Sequence, residues 1–287
     1  MHPGRISGHY SMTLLSEGET AVLTVLLFAA AVLYSSVGHA GASGYLAAMS
    51  LFGLAPETMK PAALVLNIAV ATLGTWRFVQ AGCFQLRTWF LFTLFSLPCA
   101  ALGGYLSLPA AVYKPIVGLV LLFAALRLWL EPTRREQERG TGTAESAEPV
   151  RPLPWVAAAC WGSGIGLLSG LTGTGGGIFL SPLLLLQRWA TTRQSAGIAA
   201  AFILVNSLAG LGGLISSRGL VAVPSALGLW LVAVVGGGWL GTHLGTRYAR
   251  ISTLRKLLGV VLVIAAGKML LADNAWMRLL VWVSKEE

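Results

Sequence analysis

Apolar residues in this chain fall into long runs separated by short polar or glycine-rich breaks. Runs of about 20 apolar residues, enough to carry an α-helix through a hydrocarbon core of about 30 Å, recur near residues 20–38, 61–80, 88–107, 112–130, 154–171, 195–216, 223–245 and 254–272. The pattern predicts an all-α polytopic membrane protein with about eight transmembrane helices. The stretches 39–55 and 172–190 follow the first and fifth runs. Their apolar parts (Tyr45 to Leu54, Ile178 to Trp189) are too short to span freely, so they read as re-entrant or half-helical segments completing broken helices. Residues 131–153 form the hydrophilic interlude, with Glu131, Arg134, Arg135, Glu136, Glu138, Arg139, Glu145 and Glu148 among Pro and Gly. Such a stretch buries too little apolar surface to fold alone and reads as a solvated linker.

The two halves resemble each other. Gly44-Tyr45-Leu46 matches Gly177-Ile178-Phe179, Gln80-Ala81-Gly82 matches Ser217-Arg218-Gly219, and Gly118 through Arg127 matches Gly259 through Lys268. The expected organisation is an N-terminal segment 1–19, a four-span repeat 20–130, the linker 131–153, a second four-span repeat 154–272 and a tail 273–287 that reads as a short interfacial helix. An even number of spans per repeat predicts parallel repeats, related by an axis along the membrane normal. On that count 12 Lys and Arg lie on the side of the termini and linker and 8 opposite, which puts both in the cytoplasm. Arg247, Arg250, Arg255 and Lys256 pull the other way.

The breaks carry the candidate chemistry. Thr172 to Gly177 is six consecutive Thr or Gly residues, and a weaker copy runs Gly38-His39-Ala40-Gly41-Ala42-Ser43-Gly44. Each Gly costs a helix interior about 1 kcal/mol against Ala, and backbone groups freed into lipid cost several kcal/mol each. A break at membrane depth is therefore tolerated where it packs in protein or lines a cavity, and the N–H groups at a half-helix start then cradle an anion. Close helix packing accounts for Gly162, Gly166, Gly170 and Gly236 to Gly238, but poorly for six such residues in a row. The candidate substrate-binding residues are Gly41, Ser43, Gly44, Thr172, Thr174, Gly175, Gly176 and Gly177.

Asn67 and Asn206, each in the helix after a break, must face protein or a cavity. They either donate to substrate oxygens or tie helices together. His39 abuts the first break and has the near-neutral pKa that suits proton coupling; His243 reads as packing or interfacial. Arg77 near a span end reads as snorkelling. Glu57 and Lys60, at the exit of the first break, read as a local ion pair or a solvated face.

Composition narrows the class. The chain is 55% hydrophobic and 11% charged, against about a quarter charged in soluble domains. The net charge of +9 lies between apolar spans with no aromatic-interleaved basic stretch, so nucleic acid is not an expected partner. Cys83, Cys99 and Cys160 share no metal or redox spacing and read as small apolar residues. The run from Ala21 lacks a cleavage site and reads as a retained span rather than a signal peptide. No nucleotide-binding motif is visible, so no cofactor is expected and an ion or substrate gradient supplies the driving force. The expected partners are the lipid bilayer and a small anion, with a coupled proton or cation; an oligomer is compatible with this reading.

With these residues in view, the half-repeat resembles the TauE/SafE family of sulfite exporters, also described as the 4-toluene sulfonate uptake permease group. The matching elements are the glycine-rich break after the first span of each half, Pro182 soon after it, and the Thr192 to Ala196 helix start. The resemblance implies a secondary transporter of a sulfur-containing oxyanion or organosulfonate in the bacterial inner membrane. Two rivals stand beside it. A passive anion channel would use the same breaks. A rhomboid-like serine protease would use Ser43, in Gly41-Ala42-Ser43-Gly44, with His243 on another helix.

Overall fold

The computed structural model describes residues 15–36, 38–106, 108–130, 151–219, 224–247 and 252–271. These residues form α1 (Glu17–Ser35), α2 (Ala42–Leu51), α3 (Pro56–Gln80), α4 (Leu86–Tyr105), α5 (Ala110–Leu130), α6 (Trp155–Thr172), α7 (Gly177–Leu186), α8 (Thr192–Arg218), α9 (Leu227–Arg247) and α10 (Ser252–Leu271). No strand occurs among them. Six helices, α1, α3, α4, α5, α6 and α8, are long and apolar enough to cross a membrane. In α9 and α10 the described apolar stretches, Leu227–His243 and Gly259–Leu271, are shorter. Most of the predicted linker and N-terminal segment, and all of the tail 273–287, lie outside the described residues.

Local sequence sets the helix boundaries. Ser16 caps α1 by accepting from the Glu19 N–H at 3.2 Å, while the Glu19 carboxylate accepts from the Ser16 N–H at 2.9 Å. Thr191 and Gln194 repeat this capping box at the start of α8. Val22, Phe90, Leu94, Trp155, Trp161 and Val232 are each more than half exposed, an apolar outer face that water would penalise and lipid accepts. Cys160 shares that exposure, so it is not the buried apolar filler its sequence setting suggests.

Glycines let the long helices touch. A Cβ on Gly162, Gly166 or Gly170 of α6 would strike Phe92 O, Ser96 O or Ala100 O of α4. Both series advance by four residues, so α4 and α6 run parallel with backbones in contact. Gly237 and Gly241 of α9 meet Phe28 and Val32 of α1 in the same way.

The contacts also give directions that the sequence did not. Gly74 of α3 faces Ala200 of α8, while Gly210 of α8 faces Leu64 of α3, so these helices are antiparallel. The same holds for α5 and α10, where Gly118 meets Leu270 and Gly259 meets Trp129. The half-helix α7 turns back along α8: Gly177 lies against Ala199 O, and Ser195 donates to Ser181 O at 3.3 Å. It returns the chain to the side from which α6 starts, where the Arg151 N–H donates to Arg188 O at 2.9 Å. These directions contradict the expectation of parallel halves. The physical reason is that each short helix adds a return passage that a count of long apolar runs omits.

Candidate functional site

Both breaks are built on left-handed glycines. Gly173 (φ +83°), Gly175 (φ +75°) and Gly176 (φ +78°) separate α6 from α7; Gly38 (φ +85°) and Gly41 (φ +99°) separate α1 from α2. Such backbone strains any residue with a Cβ. Gly38 pairs with Gly173 and Gly41 with Gly176, while Gly53 (φ +73°) after α2 pairs with Arg188 (φ +59°) after α7. All three pairs are 135 residues apart, two more than the 133 that separate Gly44 from Gly177. Ser43 therefore answers to Ile178 rather than to a glycine.

The turns leave donors unused. Among the described residues, none of the N–H groups of residues 40–44 or 174–178 donates to a protein acceptor. Helix starts always leave such orphans, and here the preceding left-handed turns lengthen the row. The breaks meet at one buried cavity. Its first-half wall is Tyr34, His39, Ala40, Gly41, Ala42 and Ser43; Asn67, Thr174, Ile178 and Ile203 close it from the other side. It measures about 10 Å³, the space of about one water.

Several polar side chains gather here without full pairing. Asn67 is fully buried on α3; its Nδ2 donates to Gly173 O at 3.5 Å and its Oδ1 has no partner. Ser207 of α8, also fully buried, has an unpartnered Oγ. Both stand beside Gly175, where a Cβ would lie 3.0 Å from Asn67 Nδ2 and 3.1 Å from Ser207 Oγ. A buried unsatisfied polar group costs about 1–3 kcal/mol, so a cluster of them marks a place built for a further polar partner. Ser43 is better satisfied, donating to the Tyr34 hydroxyl at 2.6 Å.

The structure divides the predicted residues. Gly41, Ser43, Asn67, Thr174 and His39 line the cavity, and Gly175 adjoins it through Asn67 and Ser207. Gly44 packs against Ala30 and Tyr34, Gly176 against Ile165 and Phe202, and Gly177 against Ile203. Thr172 points back into its own helix, donating to Leu168 O at 2.7 Å, with Thr174 Oγ1 at 2.9 Å. Asn206 donates to Phe202 O at 2.9 Å, within its own helix. Tyr34 and Ser207 escaped the sequence reading. Ser207 adjoins Asn206, and only the rotation of α8 decides which neighbour faces the break.

Three other residues take different roles from those expected. Arg77 does not snorkel freely: it donates to Thr242 Oγ1 at 3.0 Å and lies 5.8 Å from the Trp239 ring centre. Lys60 forms no local ion pair; it is buried, with Nζ donating to Gly103 O at 3.1 Å and Gly104 O at 3.3 Å. His243 stacks on Trp239, with ring centres 5.8 Å apart, while Ser43 engages Tyr34. His243 is not part of the cavity wall around Ser43.

Described residues that are all helical or connecting, with several helices long and apolar enough to span a membrane and two breaks that meet at a cavity lined in part by polar side chains, have the build of a membrane transporter. The comparisons give the same class. Residues 23–269 match the sulfite exporter TauE/SafE family. A protein of Sinorhizobium fredii (strain NBRC 101917 / NGR234), named "Probable membrane transporter protein y4hK", is 39% identical over 254 residues, covering 88% of this chain and 99% of the relative. No solved structure matches the chain. The chain belongs to the TauE/SafE family.

Proposed function

We propose that the protein is a secondary transporter of a small anion, a sulfur oxyanion such as sulfite or a compact organosulfonate, in the bacterial inner membrane. The observation that carries this reading is the row of unused N–H groups at each break, 40–44 and 174–178, meeting at the cavity beside Asn67, Ser43 and Thr174. Oriented N–H groups at helix starts favour negative charge. The orphaned Asn67 and Ser207 atoms add hydrogen-bonding capacity next to them.

Volume separates a carrier from a pore. A cavity the size of one water is too small for sulfite, so the helices around it must separate to admit the anion. That requirement supports alternating access over a standing channel.

In this reading α1 with α2 and α6 with α7 are broken hairpins that enter and leave on one side, while α3, α4 and α5, like α8, α9 and α10, cross fully. Each half then crosses the membrane three times, so the repeats are inverted about an axis in the membrane plane. Antiparallel α3/α8 and α5/α10 support this. The termini then lie opposite the linker, rather than beside it. Arg77, Arg87, Arg127, Arg151, Arg188, Arg193, the linker arginines and the 247–256 cluster all fall on the linker side, which collects 13 of the 20 Lys and Arg. The positive-inside bias places the linker in the cytoplasm and the termini outside.

The test is flux in proteoliposomes of the purified full chain, with sulfite, thiosulfate and methanesulfonate. Accumulation of one of them against its gradient when a proton gradient is imposed is the expected result. Flux that only dissipates a gradient would make the protein a channel, and no flux of any anion would overturn the reading.

A further inference from the structure

A second cavity, about 20 Å³, lies at the start of α3 and is lined by Glu57, Lys60, Tyr113, Leu171 and Arg218 among others. Its charge is unlike that of the rest of the buried surface. Lys60 is 7% exposed, and its ammonium reaches three carbonyls at the end of α4, those of Gly103, Gly104 and Leu106, at 3.1, 3.3 and 3.5 Å. Arg218, at the end of α8, is exposed, and makes no hydrogen bond or ion pair among the described residues. One carboxylate, Glu57, faces these two cations across the cavity, and no ion pair joins it to either.

The cavity shares a wall with the central one. Leu171 and Tyr113 face this side and Thr174 and Asn67 face the centre. Between them the Tyr113 hydroxyl donates to Thr172 O at 3.1 Å, Asn67 reaches Gly173 O, and a Cβ on Gly173 would stand 3.2 Å from Lys60 O. The partition is therefore the second break itself, a few residues of left-handed glycine backbone.

We infer that Lys60 and Arg218 form a waiting station for the transported anion, outside the second break on the side where α3 starts. This rests on the transport reading and adds to it a second anion site and the route between the two. The anion is drawn first to the exposed Arg218 guanidinium. It then sits in the field of Lys60, and passes to the N–H groups of residues 174–178 when the break moves. Lys60 keeps its carbonyl partners throughout; its contribution is a fixed positive charge at the inner end of the station. At the first break Gly38 rests on Ala196, a residue without charge, where Gly173 rests on Lys60.

The experiment uses the full chain as wild type, Arg218→Gln and Arg218→Lys, with sulfite and methanesulfonate as probes. Calorimetric binding in detergent is measured beside flux in proteoliposomes. Arg218→Gln is expected to raise KM about fivefold, leave kcat unchanged and flatten the salt dependence of flux, with Arg218→Lys restoring most of the loss. Because Arg218 is exposed and unpaired, thermal stability should not move. An unchanged KM and salt dependence in Arg218→Gln overturns the station while leaving transport intact. Arg218-dependent binding without flux upholds the station and overturns the transport reading. Absence of binding and flux in the wild type overturns both.

Discussion

Asn67 stands over Gly175 so closely that a Cβ on the glycine would lie 3.0 Å from the amide nitrogen. One residue belongs to a long helix of the first half and the other to the break of the second. Their meeting joins the two halves at the cavity, and it makes the smallest side chain a requirement at position 175.

Gly175→Ala should therefore lower sulfite flux more than tenfold. The added methyl meets Ile203, Asn67 and Ser207 within about 3 Å, and the left-handed backbone adds roughly 1 kcal/mol of strain. Gly164→Ala, whose Cβ would meet nothing within 4 Å, is the control and should transport normally. Equal loss in both would remove the steric argument.

Ser207→Ala separates a ligand from a structural residue. Its hydroxyl is buried without a partner, so its removal should leave the melting temperature unchanged or raise it, by up to about 1 kcal/mol of stability. Anion affinity should nevertheless fall about five- to tenfold. A variant that melts earlier while binding sulfite normally would assign Ser207 to packing alone.

Gly166→Ala tests packing without touching either cavity. A Cβ there would run into Ser96 O of α4, and overpacking of this kind costs about 1–3 kcal/mol. Thermal unfolding should move several degrees lower, with the KM of whatever protein remains folded unchanged. A shift in KM would tie the α4–α6 contact to substrate binding.

His39 lines the cavity beside the first break. If it carries the coupled proton, wild-type flux should change between pH 5 and 8, where histidine titrates, and His39→Ala should flatten that profile. An identical pH–flux curve in the variant would retire the coupling role.

Orientation is open to labelling in cells. In a background with Cys83, Cys99 and Cys160 replaced by serine, Arg218→Cys should react with an impermeant maleimide from outside. Arg151→Cys, exposed near the start of α6, should react only after the membrane is permeabilised. The reverse pattern would invert the topology, and labelling of both from one side would restore parallel halves.

The amino-acid sequence by itself determined the solvent of this protein, its long helices and the two places where they break. Apolar runs of membrane length are a local property, and six Thr and Gly residues in succession disfavour a continuous helix through them. It also marked Asn67, because a buried amide within an apolar run needs a partner wherever it lands. Direction was decided only in three dimensions. Whether α2 and α7 go on across the membrane or turn back depends on what they pack against, and that return sets which cations share a side. The tertiary structure alone also brought Ser207, rather than Asn206, beside Gly175, moved Lys60 from a supposed solvated face to the carbonyl end of α4, and turned the Thr172 hydroxyl back into its own helix. These are questions of helix rotation and of long-range backbone contact, through glycines such as Gly166 and Gly170 that carry no side chain to announce their neighbours. The two breaks were legible as a pair of oddities. That they meet at one cavity, through Asn67 above Gly175, required the fold.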